Sequence, residues 1–189
     1  MTTITAPVRN GVDTALVYGT LDALKTDPQL ARFEFRATNR WINGPHSRST
    51  IQNFWGAGQE DASRATPFVV DASEPPVLFG NNEAPNPAEY LLHALAGCLT
   101  LTIVNVAAAR KVTLTEVSST LVGVLDARGA TGLDDSYRNG FEHVRVAFSI
   151  KGDAPREKLE EIVERAKARS VVYDIVSNPV RVDVTAELD

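Results

Sequence analysis

The chain has very little of what builds the most recognisable sites. It holds a single cysteine, Cys98, among 189 residues, so no disulfide can close within it. Its three histidines, His46, His93 and His143, are scattered. With one cysteine they give no metal-ligand spacing, and no metal or other cofactor is expected. There is no Gly-rich loop of the phosphate-cradling kind and no Gly-x-Ser-x-Gly nucleophile elbow. Apolar runs are short: none reaches the roughly 18 consecutive residues of a simple membrane span, so no membrane partner is expected. Met1 to Arg9 lacks the apolar stretch of a secretory leader. Positive charge is scarce too. Nineteen Lys and Arg stand against 24 Asp and Glu, a net charge of −5, so the basic footprint of a nucleic-acid binder is missing. With one cysteine and no leader, a reducing, cytoplasmic location is expected.

What remains is the balance of an ordinary globular chain, 43% hydrophobic and 23% charged. Its length suits one domain with a short appendage. Val12, Ala15, Leu16, Leu21 and Leu24 give a helical stripe over about 11–25, which Asp27-Pro28 must end. Phe33, Phe35 and Ala37 alternate with polar residues in a strand reaching Trp41. Asn43-Gly44 signals a hairpin back into a strand over about 48–55. A loop-rich stretch, 56–85, follows, with one short apolar run at 67–70. Asn86-Pro87-Ala88-Glu89 is a capping box with proline in its favoured place, opening a largely apolar helix to about Arg110. Such a helix is buried within one subunit or between two. Strands are expected over 112–125 and at Val144 to Ile150. An amphipathic helix carrying Leu159, Ile162, Val163 and Ala166 follows, capped by Asp153. A last strand is expected at Val180, Val182 and Val184. Strand runs separated by single helices read as α+β, with helices on one face of a mainly antiparallel sheet.

Two residues carry most of the possible chemistry. Cys98 sits mid-helix among Leu91, Ala94, Leu95, Leu101, Thr102 and Asn105. A free cysteine there packs as a small hydrophobe, or it reacts as a thiolate if a cation reaches it from elsewhere in the fold. Arg40 and Arg48, near the hairpin ends, are the candidate cations. Glu89 already has a role in the capping box. It lies nine residues before Cys98, about 180° around a helix of about 3.6 residues per turn.

The segment Asn-Pro-Ala-Glu-Tyr-Leu-Leu-His-Ala-Leu-Ala-Gly-Cys-Leu, 86–99, resembles the central-helix motif of the OsmC/Ohr family. Arg40-Trp41, His46 to Ile51, 56–61, Ser170 to Asp174 and Asn178-Pro179-Val180 resemble one branch of it. The resemblance makes 31–189 the OsmC-like domain and 1–30 a helical extension. It implies an OsmC-like α+β fold in which an antiparallel sheet wraps a long cysteine-bearing helix, assembled as an intertwined homodimer. It further implies a thiol peroxidase: Cys98 is the peroxidatic thiol, a hydroperoxide the substrate and an external thiol the reductant, with Arg48 or Arg40 and Glu89 assisting. Ser170 stands where the family's second cysteine is expected, and Ala88 stands where its assisting glutamate is expected, one residue before Glu89. The alternative is a non-redox dimer of this fold that binds a small apolar ligand at its interface, Cys98 being structural.

Overall fold

A computed structural model describes residues 8–188. The elements are β1 (Val8–Arg9), β2 (Val12–Asp13), α1 (Thr14–Thr26), β3 (Thr38–Asn43), β4 (His46–Ile51), β5 (Phe54–Gly56), β6 (Gln59–Asp61), β7 (Phe68–Ala72), α2 (Pro87–Ala109), β8 (Leu114–Val124), α3 (Ala127–Ala130), β9 (His143–Gly152), α4 (Arg156–Lys167) and α5 (Val171–Ser177). Short 3-10 turns occupy Pro28–Ala31 and Pro76–Leu78. The fold class is α+β, as expected. Two compact units divide the described chain: one comprises 13–91, the other 8–12 with 92–188.

In the first unit, β3, β4 and β7 form an antiparallel sheet in that order. The hairpin forms where the sequence signals it, with Gly44 at φ 51°, a left-handed value that glycine adopts without Cβ strain. β5, at the end of the expected second strand, pairs antiparallel with β6, which lies in the stretch expected to be loop. The strand expected from Phe33 forms regularly only from Thr38, and upstream a single bridge joins Glu34 to Trp55. Phe33, Phe35 and Phe54 pack as an aromatic cluster with ring centroids 5.4 to 6.5 Å apart. Gly56 lies under it, where an added Cβ would fall 2.4 Å from the Phe33 ring. Helix α1 starts at Asp13, whose carboxylate accepts from the Ala15 and Leu16 amides, and ends before Pro28 as proline geometry requires.

In the second unit, α2 continues through the apolar core. Ile103, Val106, Ala107, Val112, Ile162 and Ala166 are buried together, with Phe148, Ile150, Leu159 and Val163 packed around them. Each large side chain so buried contributes about 1.5–3 kcal/mol. The helix stops at a left-handed Lys111, φ 61°. The Val112 amide then reaches the Ala107 carbonyl and the Lys111 amide the Ala108 carbonyl, a Schellman closure. Just past the end of α2, Arg110 pairs with Glu161 on α4 at 2.7 Å. β8 and β9 pair antiparallel, with Val144, Val146, Phe148 and Ile150 alternating as expected.

Two expectations fail locally. Asp153 does not cap α4. Its carboxylate accepts from the Thr113 amide at 2.6 Å, and the N-cap of α4 is Pro155, whose side chain makes no capping hydrogen bond. No strand forms over 178–188, and Val180, Val182 and Val184 are 53%, 74% and 87% exposed. Alternation makes a segment strand-competent, but a strand needs an edge to pair with, and none is engaged here.

Candidate functional site

The predicted capping box forms at the start of α2. The Glu89 amide donates to Asn86 Oδ1 and the Asn86 amide to Glu89 Oε2, both at 2.8 Å. The Glu89 carboxylate is thereby engaged in starting the helix.

Cys98 lies in the middle of α2, within the second unit, and is partly buried. Leu95 and Leu99 beside it are buried, whereas Leu101 is 66% exposed, so one side of the helix packs and another stays open. Thr102 Oγ1 donates to the Cys98 carbonyl at 2.7 Å. Ser170 is 2% exposed and is the N-cap of α5. Its Oγ accepts from the Tyr173 amide at 3.2 Å and donates to Cys98 Sγ at 3.1 Å. The fold thus joins two residues 72 positions apart and sets a hydroxyl against the only sulfur of a cysteine in the chain.

The arginines are in the first unit. Arg40 and Arg48 are cross-strand partners, and Asp71 is opposite Arg48 on β7. Arg48 grips Asp71 with two parallel bonds, Nε to Oδ1 at 2.6 Å and Nη2 to Oδ2 at 2.8 Å. This is the strong bidentate form of a charged hydrogen bond. It holds the Asp71 carboxyl at about 2, against an ordinary 3.8, and pushes the Arg48 guanidinium up. His46 Nε2 lies 3.4 Å from Asp71 Oδ2, and this buried nitrogen makes no hydrogen bond. Tyr90 Oη donates to the Asp71 carbonyl at 2.7 Å. Buried Ser73 donates to Glu83. Arg40 is exposed and makes no ion pair among the described residues.

Of the four sequence candidates, Arg40 and Arg48 come together on one sheet, Glu89 starts α2, and Cys98 meets Ser170. Sequence reasoning missed Asp71. Its signal was an acidic residue in the run Phe68-Val69-Val70-Asp71-Ala72, which reads as a β-strand with one charge. Among the described residues, no three His, Cys, Asp or Glu side chains converge to hold a metal ion.

The chain thus carries its cysteine near the centre of a long helix, in an α+β fold with antiparallel strands before and after that helix. Residues 80–185 match the family described as OsmC-like protein. The match spans over half the chain, and the chain belongs to the OsmC-like family. The fold is similar to that of an OsmC-like protein from Mycoplasma pneumoniae, with a TM-score of 0.55 and 14% identity over 77% of this chain and 89% of that one. It is also similar to an organic hydroperoxide resistance protein OsmC from Legionella pneumophila, with a TM-score of 0.50 and 19% identity over 75% of this chain and 89% of that one. No curated protein matches the sequence.

Proposed function

We propose that this OsmC-like protein is a one-cysteine thiol peroxidase acting on organic hydroperoxides. The observation that carries the reading is the pairing of Cys98 with Ser170. The family cysteine is present on the central helix, while the residue against its sulfur is a hydroxyl that cannot form a disulfide. The hydroperoxide resistance protein of similar fold supports the substrate class. In the first step the Cys98 thiolate attacks the hydroperoxide: an S–O bond forms, the O–O bond breaks, and the leaving alkoxide takes a proton to become the alcohol. The Cys98 sulfenic acid then meets an external thiol, an S–S bond forms, and water leaves. A second external thiol attacks the outer sulfur and releases the Cys98 thiol and an external disulfide. Two electrons pass from two thiols to one peroxide, and no second protein cysteine is needed.

An arginine assisting the thiolate and the departing alkoxide comes from Arg48 or Arg40 in this reading. Arg48 is held by Asp71, while Arg40 has no ion-pair partner among the described residues. Glu89 acts chiefly in opening α2. The working form is a homodimer. The exposed apolar residues on α2, Leu91 and Leu101, support that assembly, and sedimentation of the purified protein at the mass of two chains is expected.

The test is peroxide consumption with a monothiol as reductant, followed by mass spectrometry of Cys98. Wild-type protein is expected to turn over, passing through a sulfenic acid and then a mixed disulfide at Cys98. Cys98→Ser should consume nothing while keeping the assembly. Consumption that survives Cys98→Ser would refute the reading. Saturable binding of an apolar ligand, with a Cys98 no more reactive than free cysteine, would favour the non-redox alternative.

A further inference from the structure

Ser170 occupies its place for a reason beyond capping a short helix. A hydroxyl has one proton to give and two lone pairs to share. The Tyr173 amide, 3.2 Å away, takes one lone pair. The proton is directed at Cys98 Sγ, 3.1 Å away. Ser170 is 2% exposed, so water does not compete for that proton. The rotor is therefore fixed at both ends, by a backbone donor on one side and by the sulfur on the other.

We infer that Ser170 is a positioning residue for Cys98: its hydroxyl, locked by the Tyr173 amide, donates to the sulfur and holds the thiolate in the orientation that reacts. A donor to an anionic partner strengthens as charge gathers on the sulfur, so the bond favours the nucleophilic form over the neutral one. The sulfenic acid formed by oxidation keeps the same neighbour, which offers its sulfur no intramolecular disulfide. This inference rests on the proposed thiol chemistry for its purpose, but it is tested without peroxide.

The test is the rate at which iodoacetamide alkylates Cys98 at fixed neutral pH in the whole protein. Ser170→Ala and Ser170→Gly both remove the hydroxyl, and glycine is the better tolerated at a helix start. Ser170→Thr keeps both the cap and the donor. The Ala and Gly variants are expected to alkylate about tenfold more slowly, the scale of one lost charge-assisted hydrogen bond. Ser170→Thr should recover most of the wild-type rate, since a loss of packing alone would not be restored by a hydroxyl. Equal rates in wild type, Ala and Gly would overturn the inference. So would a slowing that a folded Ser170→Thr protein does not reverse. The two readings fail separately. Slow alkylation of Ser170→Ala beside a wild type inert to hydroperoxide sinks the peroxidase and keeps the positioning role. An active peroxidase whose alkylation ignores Ser170 does the reverse.

Discussion

Among the described residues, every buried apolar side chain lies between Leu95 and Val112 or at Ile162 and Ala166, all in the second unit. Residues 13–91 bury only Gly56 and the polar Ser73. They hold together instead through sheet ladders, an exposed aromatic cluster and ion pairs such as Arg48–Asp71. The difference separates two kinds of requirement. The thiol is carried on a helix fixed by close packing, where the cost of an error is a cavity. The arginines are carried on a sheet fixed by hydrogen bonds and charge, where the cost of an error depends on pH. Substitutions in the two units should therefore fail in different ways.

The largest effect is expected at Ile103, which is fully buried in the second unit. Ile103→Ala should cost about 2–5 kcal/mol, from lost transfer energy and the cavity left behind, measured by urea unfolding. A cost under about 1 kcal/mol would mean that the core is not where the packing places it. Next comes the start of α2. Asn86→Ala removes the acceptor for the Glu89 amide and should cost about 1 kcal/mol in the same assay. The smallest effect belongs to the sheet of the first unit and changes with pH. The Asp71 carboxyl is lowered from 3.8 to about 2 by its bonds to Arg48, so folding favours its ionised form. The stabilisation is present above about pH 4 and is lost as pH falls through about 2. The difference in melting temperature between wild type and Asp71→Asn should be constant near neutrality and shrink between those values. A difference independent of pH would break the contrast between the units.

The sequence made local features legible and long-range ones only in part. The capping box at Asn86, the hairpin at Gly44, the stop before Pro28 and the alternation of Val144 to Ile150 each depend on residues close in the chain. The contact between Ser170 and Cys98 spans 72 positions, and only a family resemblance placed the two together beforehand. The Arg48–Asp71 grip spans 23 positions and had no local signature. Asp153 had the right residue type for a cap, yet the Thr113 amide 40 positions away claims its carboxylate. The segment after α5 reads as a strand because alternation records which faces suit burial, whereas strand formation is decided by an edge that the pattern does not specify. Sequence also could not tell whether the α2 face at Leu101 is covered, since an apolar helix reads alike whether its cover comes from its own chain or a second one.

The central claim is that Cys98, with no second cysteine, is a peroxide-reactive thiol. It is tested most directly by the second-order rate of its oxidation. Reduced protein is mixed with an alkyl hydroperoxide and, separately, with hydrogen peroxide, and residual thiol is counted over time, with Cys98→Ser as the blank. Oxidation orders of magnitude faster than that of free cysteine, and faster with the organic peroxide, is the predicted result. A rate no greater than that of free cysteine with either oxidant would contradict the account and leave Cys98 a packing residue.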